Sequence, residues 1–588
     1  MQRPQGHALR GFTLGAVVLL VLAACTPSGN QSSPGGSGAS QGTATPGGTI
    51  FILNQGAQWD QTDPQRVYTG EDLAFFGATL FRGLVSFTYS PDTEEANKLT
   101  PDLATDTGTP NADATEWSFT LRDGATFEDG SPVTCEDVKY GVSRTFATDV
   151  INQGPTYQIA YLDIPAEDDP DSDFPSKYHG PYTGKGQDLF DKAVTCDGNT
   201  ITFKLNKSVP DFNYATTLGF FPVPKDKDTG ENYGEHPISS GPYKVESYNT
   251  GNGGKMILTR NDAWDQASDP IRKALPDKWE ADFGIDAKVM DQRLIASNGP
   301  DATAIQYGNV QPENLATVFA DKATPNARFA GRASSEYDAY VIYTWINVDK
   351  VPDEKVRQAM AVALDRQALL VNAGGAFAGD LADGVIKPNI GEDYAETGWA
   401  TDMFGEAIPP TGNVELAKRL ITESGAAAPT LQYDYPQSPV NDQAAAIVKD
   451  SLEKAGFTVK PNPIDPGVYY SVVFDPKKAG EFGAGGWGPD WPNASTVIPP
   501  LFTQKGGWDL SQVDDPELNQ MIEDAQTTLD RTEQTQKWQE LNKLAMQRAY
   551  VIPTRFNLTQ IIGGTKVQPT YQWAPFSSWP YAQMYVTQ

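Results

Sequence analysis

Residues 483–496 (GAGGWGPDWPNAST) carry the residue types best suited to holding a small ligand. They combine two tryptophans, several glycines and one isolated acid, Asp490, in a stretch poor in other charges. Glycines let a ligand approach the backbone, tryptophans offer aromatic walls, and a carboxylate binds a cation. Alternatively, Trp487 and Trp491 are core residues and Asp490 caps a helix or turn. The residues alone leave both interpretations open.

Two common signatures of nucleotide and metal chemistry are absent from the sequence. It contains no G-x-x-x-x-G-K-[ST] phosphate loop and no H-E-x-x-H zinc motif. The three histidines, His7, His179 and His236, are isolated, and their spacing does not suit a zinc site. We therefore expect no catalytic residue, no metal and no cofactor. An extracellular hydrolase built on paired carboxylates remains an alternative, since 75 residues are acidic.

Length and charge narrow the class of protein further. The chain has 588 residues, which is too many for one small core and favours two or three lobes. Its formal net charge of −30 repels phosphate backbones, so we expect no nucleic-acid partner.

The first residues are typical of an export signal. A basic start precedes a short apolar run at residues 11–24, which is too short to span a bilayer. The following Leu-Ala-Ala-Cys ending at Cys25 resembles the lipobox of bacterial lipoproteins, which implies lipidation of Cys25. We expect a signal peptide at residues 1–24 and a Gly/Ser/Pro-rich, lipid-anchored flexible tether at residues 25–46. The alternative is a secreted protein in which Cys25 is incidental.

The cysteines other than Cys25 form an even pair. Export places Cys135 and Cys196 in an oxidising compartment, where we expect a disulfide between them. Two buried free thiols are the alternative.

Apolar periodicity predicts strands that alternate with helices. A helix between two strands near residues 431–459 predicts parallel pairing and an α/β lobe. The predicted strands are 47–53, 116–121, 200–205, 340–348, 431–435, one beginning at 457, and 550–554. The predicted helices are 72–84, 135–146, 354–370, 442–455 and 532–548.

Four motifs, in order along the chain, resemble the signature of family 5 extracytoplasmic solute-binding proteins. This family supplies the peptide- and nickel-binding subunits of ABC importers. The motifs are WSFTLRDGATFEDGSPVTCEDVKYGVSR (117–144), TITFKLNKSVPDF (200–212), SSGPYKV (239–245) and INVDKVPDEKVRQAMAVALDRQ (346–367).

The resemblance implies an α/β, periplasmic-binding-protein-like clamp of the class II, or cluster C, type. It implies three lobes and two hinge crossings, near residues 335 and 550, with ligand bound as the halves close. When the family's lobes are mapped onto this sequence, lobe I comprises residues 47–88, 222–335 and 551–588. Lobe II then comprises residues 89–221, and lobe III residues 336–550.

The resemblance also assigns roles in the glycine-rich segment. In peptide-binding members, an Asp three residues after a Trp pairs with the peptide's α-ammonium group, and Trp487 and Asp490 match that spacing. Gly486, Gly488 and Trp491 are then expected to form the surrounding wall. Some peptide binders have an Arg where Ala484 stands, which points to a different ligand length or class. Further ligand contacts are expected at Tyr68, Thr69, Trp345, Asn347, Arg555 and Phe556.

The implied function is that of a monomeric, lipid-anchored receptor on the outer face of the cytoplasmic membrane. It captures oligopeptides and delivers them to an ABC permease with a separate ATPase, and the tether suits a Gram-positive organism. An oligosaccharide is the alternative ligand, because twelve tryptophans suit stacking on sugars. Scarce histidine argues against nickel or haem. An adhesin or a sensor on the same clamp is a further alternative.

Overall fold

The computed structural model describes most of the chain beyond the predicted tether. The predicted signal peptide, Cys25 and residues 25–43 of the tether lie outside the described residues. Within the described part, no helix is both long enough and apolar enough to cross a membrane. The residues described are 44–169, 172, 174–426, 428–466, 468–504 and 506–587.

The first sheet is built around the apolar run that begins at Thr49. Strand Thr49–Asn54 pairs in parallel with a strand on each side, and its Ile50, Ile52 and Leu53 side chains are fully buried. Such a run suits the interior of a sheet that is covered on both faces. The five strands lie in the order Ala304–Tyr307, Thr49–Asn54, Lys278–Asp282, Lys255–Arg260, Tyr243–Asn249.

The second sheet is antiparallel and carries a disulfide. Trp117 and Phe119 alternate inward along its strand Glu116–Thr120, as the sequence predicts. Helix Cys135–Arg144 packs against the sheet, and Cys135 is bonded to Cys196 with their Cα atoms 5.9 Å apart. The four strands lie in the order Thr109–Pro110, Glu116–Thr120, Thr200–Lys204, Val194–Asp197.

The third sheet has six strands and contains the predicted strand–helix–strand unit. Strands Thr430–Pro436 and Thr458–Ile464 pair in parallel and are joined by helix Pro439–Ala455, so this prediction is confirmed. The strands lie in the order Gly379–Leu381, Val551–Ile562, Ala333–Ile346, Phe482–Trp487, Thr430–Pro436, Thr458–Ile464.

Four predicted elements differ clearly from the structure. The helix predicted at 72–84 spans Gly70–Thr79, and the strand predicted at 340–348 begins earlier, as Ala333–Ile346. The single helix predicted at residues 354–370 is wrong, because extended backbone at Leu364 separates helix Glu354–Ala363 from helix Arg366–Asn372. Asp365 starts the second helix by accepting a hydrogen bond from the Ala368 N–H. The strand predicted at 550–554 extends to Ile562 in the third sheet, because it pairs with most of strand Ala333–Ile346.

The remaining elements cover these sheets. Two short strand pairs are Val85–Phe87 with Leu99–Pro101, and Val567–Gln568 with Tyr585–Val586. The other α-helices are Gly70–Thr79, Thr93–Ala96, Tyr157–Tyr161, Gln187–Ala193, Phe212–Ala215, Ala287–Ala296, Pro312–Val318, Val414–Ser424, Tyr469–Val473, Ile498–Phe502, Pro516–Thr527 and Arg531–Gln547.

Two large apolar clusters form the core of the described residues. One joins the first and second sheets, and the other surrounds the third sheet. Trp491 follows a strand of the third sheet in sequence, yet its side chain belongs to the first cluster. The chain after Trp487 therefore links the two clusters at one edge of the cavity described next.

Candidate functional site

A cavity of about 870 Å³ lies where the loop before helix Gly70–Thr79 meets strand Phe482–Trp487. It is large enough for a ligand of several residues. Seven of the residues predicted to contact a ligand line it: Tyr68, Thr69, Gly486, Trp487, Gly488, Asp490 and Arg555.

Asp490 is held in this cavity by neutral donors. Its Oδ2 accepts a hydrogen bond from the Tyr68 hydroxyl at 3.0 Å and another from the Tyr157 hydroxyl. Its backbone N–H donates to Thr496 Oγ1 at 3.2 Å. In the described part of the chain, no ion pair includes Asp490. The carboxylate thus faces a cavity without a protein cation beside it.

The electrostatics of this carboxylate follow from its surroundings. Burial raises the pKa of Asp490 to about 6, and the hydrogen bonds from Tyr157 and Tyr68 act in the opposite direction. Burial and the nearby Asp490 charge raise the pKa values of both phenols, so Tyr68 and Tyr157 stay protonated donors at neutral pH. A cation delivered by a ligand would lower the pKa of Asp490 again.

Glycines place the strand that leads to Asp490. A Cβ atom on Gly483 would lie 2.4 Å from the Trp345 ring, and one on Gly485 would lie 2.7 Å from the Tyr343 ring. Only glycine lets this strand pack so closely on its neighbour. The strand ends at Trp487, and the loop beyond it presents Asp490 to the cavity.

A buried ion pair anchors the loop that carries Tyr68. Arg144, at the end of helix Cys135–Arg144, binds both carboxylate oxygens of Asp63, at 2.9 and 2.6 Å. Both side chains are fully buried, so the bidentate geometry and the further bond from Arg144 to Asp228 offset the cost of desolvation. Tyr157 comes from the short helix Tyr157–Tyr161.

Aromatic rings form the wall next to the glycine-rich strand. The rings of Trp487 and Trp508 lie 4.9 Å apart, and Tyr470 lies 4.9 Å from Trp508. Trp487 Nε1 donates to the Thr496 carbonyl at 2.8 Å, which fixes this ring. Tyr340 and Tyr470 remain 48% and 42% exposed and line the cavity.

Sequence reasoning missed four residues that line or flank the cavity: Tyr157, Tyr340, Tyr470 and Trp508. The exposed fraction of Tyr340 and Tyr470 is a property of the fold, and no local pattern reports it. Tyr157 reaches Asp490 from 333 residues away along the chain. Only the tertiary structure brings it there.

Four predicted contact residues lie outside the cavity lining. Trp345 is fully buried, and its Nε1 donates to the Ala484 carbonyl at 3.1 Å. Asn347 is buried and caps a turn by accepting from the Asp349 N–H at 3.1 Å. Phe556 packs on Tyr337 in the third-sheet core. These three side chains point to the protected face of their strands or turn, so we no longer expect them to contact a ligand.

Trp491 is the fourth. Its indole Nε1 donates to Asp211 Oδ2 at 2.8 Å, and its ring lies 4.7 Å from that of Tyr157. Ser495 Oγ donates to the same Asp211 oxygen at 2.6 Å. Trp491 therefore supports the Asp490 loop from behind instead of forming part of the cavity wall.

The arrangement suits binding more than metal chemistry. Among the described residues, no group of three or more His, Cys, Asp or Glu side chains is placed to hold a metal ion. The cavity instead offers the Asp490 carboxylate with its two phenol donors, aromatic faces and the exposed backbone of a glycine-rich strand, and its lining also includes the acids Asp60, Glu71 and Asp338. These groups can hold an extended ligand that carries a cation.

Comparison with known proteins finds similarity to oligopeptide-binding proteins over nearly the whole chain. OppA, the oligopeptide-binding protein of Bacillus subtilis (strain 168), is 22% identical over 565 residues, which cover 92% of this chain and 93% of that protein. The solved structure of clavulanic acid biosynthesis oligopeptide binding protein 2 is 26% identical, with a TM-score of 0.82 over 93% of this chain and 97% of that chain.

A more distant structure shows the same fold. Haemophilus influenzae OppA, in complex with RPPGFSPFR, is 16% identical, with a TM-score of 0.67 over 93% of this chain and all of that chain. The predicted mixed α/β, periplasmic-binding-protein-like fold is thus confirmed. Residues 98–509 match the family described as "Bacterial extracellular solute-binding proteins, family 5 Middle". The chain belongs to the family 5 bacterial extracellular solute-binding proteins.

Proposed function

We propose that this protein is a peptide receptor in which Asp490 binds the α-ammonium group of the ligand. The observation that carries the proposal is the half-buried Asp490 carboxylate, which faces the cavity and has phenol partners but no protein cation. Desolvation of this carboxylate costs free energy, and a ligand ammonium offsets that cost.

The hydrogen bonds around Asp490 make this role chemically consistent. A charge pair out of water is strong only when other hydrogen bonds satisfy the remaining lone pairs. Tyr68 and Tyr157 both donate to Oδ2, which leaves Oδ1 for the ligand. The peptide backbone then lies beside the glycine-rich strand, and its side chains contact the aromatic wall.

The relatives support a peptide as the ligand. OppA of Bacillus subtilis and clavulanic acid biosynthesis oligopeptide binding protein 2 are both named as oligopeptide-binding proteins. The Haemophilus influenzae OppA structure contains RPPGFSPFR. This chain matches these binding proteins over nearly its whole length, so we propose binding without covalent chemistry.

The cellular role that we propose is the one that the resemblance to the family implies. We propose that lipidated Cys25 and the tether at 25–46 hold the receptor, as a monomer, on the outer face of the cytoplasmic membrane. Closure of three lobes around the peptide precedes delivery to an ABC permease with a separate ATPase. The lobe limits stay as predicted from the sequence, with crossings near residues 335 and 550.

Calorimetry on the protein beginning at residue 26 tests the role of Asp490. The ligands are alanine peptides of two to five residues, each with a free and with an acetylated N terminus. Asp490→Asn keeps the shape but removes the charge, so we expect at least tenfold weaker binding of the free peptides. Asp60→Asn, which removes an exposed charge at the rim of the cavity, is the matched control and should change affinity less than twofold.

The same experiment separates the alternatives. Equal affinity of wild type for free and acetylated peptides would remove Asp490 from its assigned role. Aromatic faces also suit sugars, so a screen of oligosaccharides accompanies the peptides. Binding of a sugar that Asp490→Asn leaves unchanged, together with no peptide binding, would identify an oligosaccharide receptor instead.

A further inference from the structure

A small side pocket adjoins the main cavity at the start of helix Gly70–Thr79. Its volume is about 10 Å³, which is room for one water-sized group. Four residues line both the side pocket and the main cavity: Glu71, Asn309, Thr559 and Ser577. A ligand in the main cavity can therefore place the end of one side chain in the side pocket.

The wall of the side pocket holds buried polar atoms without a partner. Within the described residues, Gln306 Oε1 and Ser577 Oγ are buried and make no hydrogen bond. Gln306 is 1% exposed and Ser577 is 8% exposed, so bulk water does not compensate these atoms. Gln306 Nε2 donates to the Gly308 carbonyl at 2.9 Å, which leaves Oε1 as the free end of this amide. A buried acceptor without a donor costs free energy, so the side pocket favours an occupant that donates hydrogen bonds.

Glu71 adds a negative charge to the same pocket. Burial raises the pKa of Glu71, a hydrogen bond with its own backbone acts in the opposite direction, and the Asp338 charge adds to the rise. In the described part of the chain no ion pair includes Glu71, whereas Asp338 accepts from Lys387 Nζ at 2.8 Å. A cation beside Glu71 would offset the cost of burying its carboxylate.

The carboxylate of Glu71 lies near the far wall of the side pocket. Burial raises the pKa of Tyr581, which lines the side pocket, and the Glu71 charge adds to that rise. Glu71 also stands in the first turn of its helix, where an acid stabilises the helix dipole. That contribution accounts for Glu71 alone. It does not account for the free acceptor of Gln306, which comes from strand Ala304–Tyr307.

We propose that the side pocket binds the terminal ammonium of a lysine-type side chain of the ligand, between Glu71, Gln306 and Ser577. The inference rests on the proposed peptide-receptor function and adds the class of side chain that the receptor prefers. A primary ammonium is the size of a water molecule and carries a charge and three donors, one for each of these groups. A water molecule fits the same volume but brings two donors and no charge. The planar guanidinium of arginine is larger than the side pocket.

One peptide can reach both acids of the site. Burial raises the pKa of Tyr340, and the charges of Glu71 and Asp490 both add to that rise. The two carboxylates therefore lie within range of the same phenol, which lines the main cavity. The preferred ligand then carries its α-ammonium at Asp490 and a side-chain ammonium at Glu71.

The test compares side chains of similar length with and without an ammonium. Alanine peptides of two to five residues carry one lysine, norleucine or arginine at each position in turn, and all have free N termini. Calorimetry measures their affinity for wild type, Glu71→Gln, Glu71→Asp and Asp60→Asn. At one position, we expect wild type to bind the lysine peptide at least tenfold more tightly than the norleucine peptide. The arginine peptide should bind more weakly than the lysine peptide at that position.

The variants assign this preference to the side pocket. Glu71→Gln keeps the shape but removes the charge, so the ratio of lysine to norleucine affinity should fall close to one. Glu71→Asp keeps the charge and should keep part of the ratio. Asp60 is exposed and lines the main cavity but not the side pocket, so Asp60→Asn is the matched control and should leave the ratio unchanged. A general effect of the acidic cavity would appear in Asp60→Asn as well.

Several outcomes would overturn the inference. They are no lysine preference at any position in wild type, arginine bound as tightly as lysine, a preference that survives in Glu71→Gln, and a preference lost in Asp60→Asn. If alanine peptides bind in an Asp490-dependent way in those cases, the proposed function stands without the side pocket. If no peptide of any kind binds to wild type, the proposed function fails and the inference fails with it.

Discussion

Asp490 shows how burial and hydrogen bonding act against each other on one carboxylate. Loss of water raises its pKa to about 6, while donors from Tyr157 and Tyr68 hold that rise back. The result is an acid that is ionised at neutral pH and close to its titration point. A receptor built this way gains attraction for cations without a competing internal ion pair.

This balance predicts a pH dependence of peptide binding. The ionised carboxylate binds the ligand ammonium, so affinity is nearly complete one pH unit above the pKa of about 6 and is lost as the pH falls through about 6. Affinity at pH 5 should be about tenfold lower than at pH 7. Above about pH 8 the α-amino group of the peptide loses its proton, so affinity falls again. Calorimetry from pH 4.5 to 9 measures both the fall in affinity at low pH (the acid limb) and the fall at high pH.

Two variants assign the acid limb to Asp490. Tyr157→Phe removes a donor that lowers the pKa of Asp490, so the acid limb should move to higher pH. Burial also raises the pKa values of Asp72 to about 6 and Asp509 to about 7. These groups titrate in the same pH range, so the variants are needed to show that the loss of affinity at low pH comes from Asp490. An acid limb that persists in Asp490→Asn would place the titrating group elsewhere.

At the scale of elements, the site depends on how strands and helices are joined. Strand Phe482–Trp487 approaches its neighbour closely because Gly483 leaves room for the Trp345 ring. The Tyr68 loop is tied to helix Cys135–Arg144 by the Asp63–Arg144 pair. The same helix is bonded at its other end to strand Val194–Asp197 through the disulfide. The disulfide thus braces the element on which the Tyr68 loop is anchored.

Removal of this disulfide should lower the free energy of unfolding. The bond joins residues 61 apart in sequence, which corresponds to about 4 kcal/mol in the chain-entropy model. We expect Cys135→Ser/Cys196→Ser to unfold at a lower denaturant concentration than wild type. Reductant should lower the wild-type midpoint and leave that of the double variant unchanged. Equal midpoints for the two proteins would show that the bond does not stabilise the fold.

At the scale of the whole molecule, the cavity is closed by contacts between distant parts of the chain. Tyr68 and Tyr157 meet Asp490, and Asp211 meets Trp491 and Ser495. The Asp490 contacts can change when a ligand ammonium arrives. The Asp211 contacts lie behind the cavity wall and are available with or without ligand. We therefore expect Asp211 to favour the closed arrangement itself.

Asp211→Ala should weaken peptide binding even though Asp211 does not line the cavity. The variant removes two hydrogen bonds to a charged acceptor, so the closed state loses stability relative to an open one. We expect peptide dissociation about tenfold faster or more, measured by stopped-flow tryptophan fluorescence. Asp188→Ala, on the exposed face of helix Gln187–Ala193, serves as the control. An unchanged dissociation rate would show that these contacts do not govern closure.

The sequence by itself determined much of this protein. Alternating apolar residues fixed the strands around Trp117 and residues 431–435, because a half-buried strand needs that period. Motif order identified the family, and the loop after Trp487 identified Asp490 as the candidate anchor. These features are local in the chain, so a single sequence displays them.

Only the tertiary structure decided which side chains share the cavity. Trp345, Asn347 and Phe556 lie near the site in sequence but point into the core, whereas Tyr157 and Trp508 reach it from distant segments. The pairing of Lys387 with Asp338, whose Oδ1 accepts from Lys387 Nζ at 2.8 Å, is also invisible in the sequence, because the two residues meet only in the folded chain. Exposure, pairing and desolvation are sums over neighbours distant in sequence, so they exist only once the chain has folded.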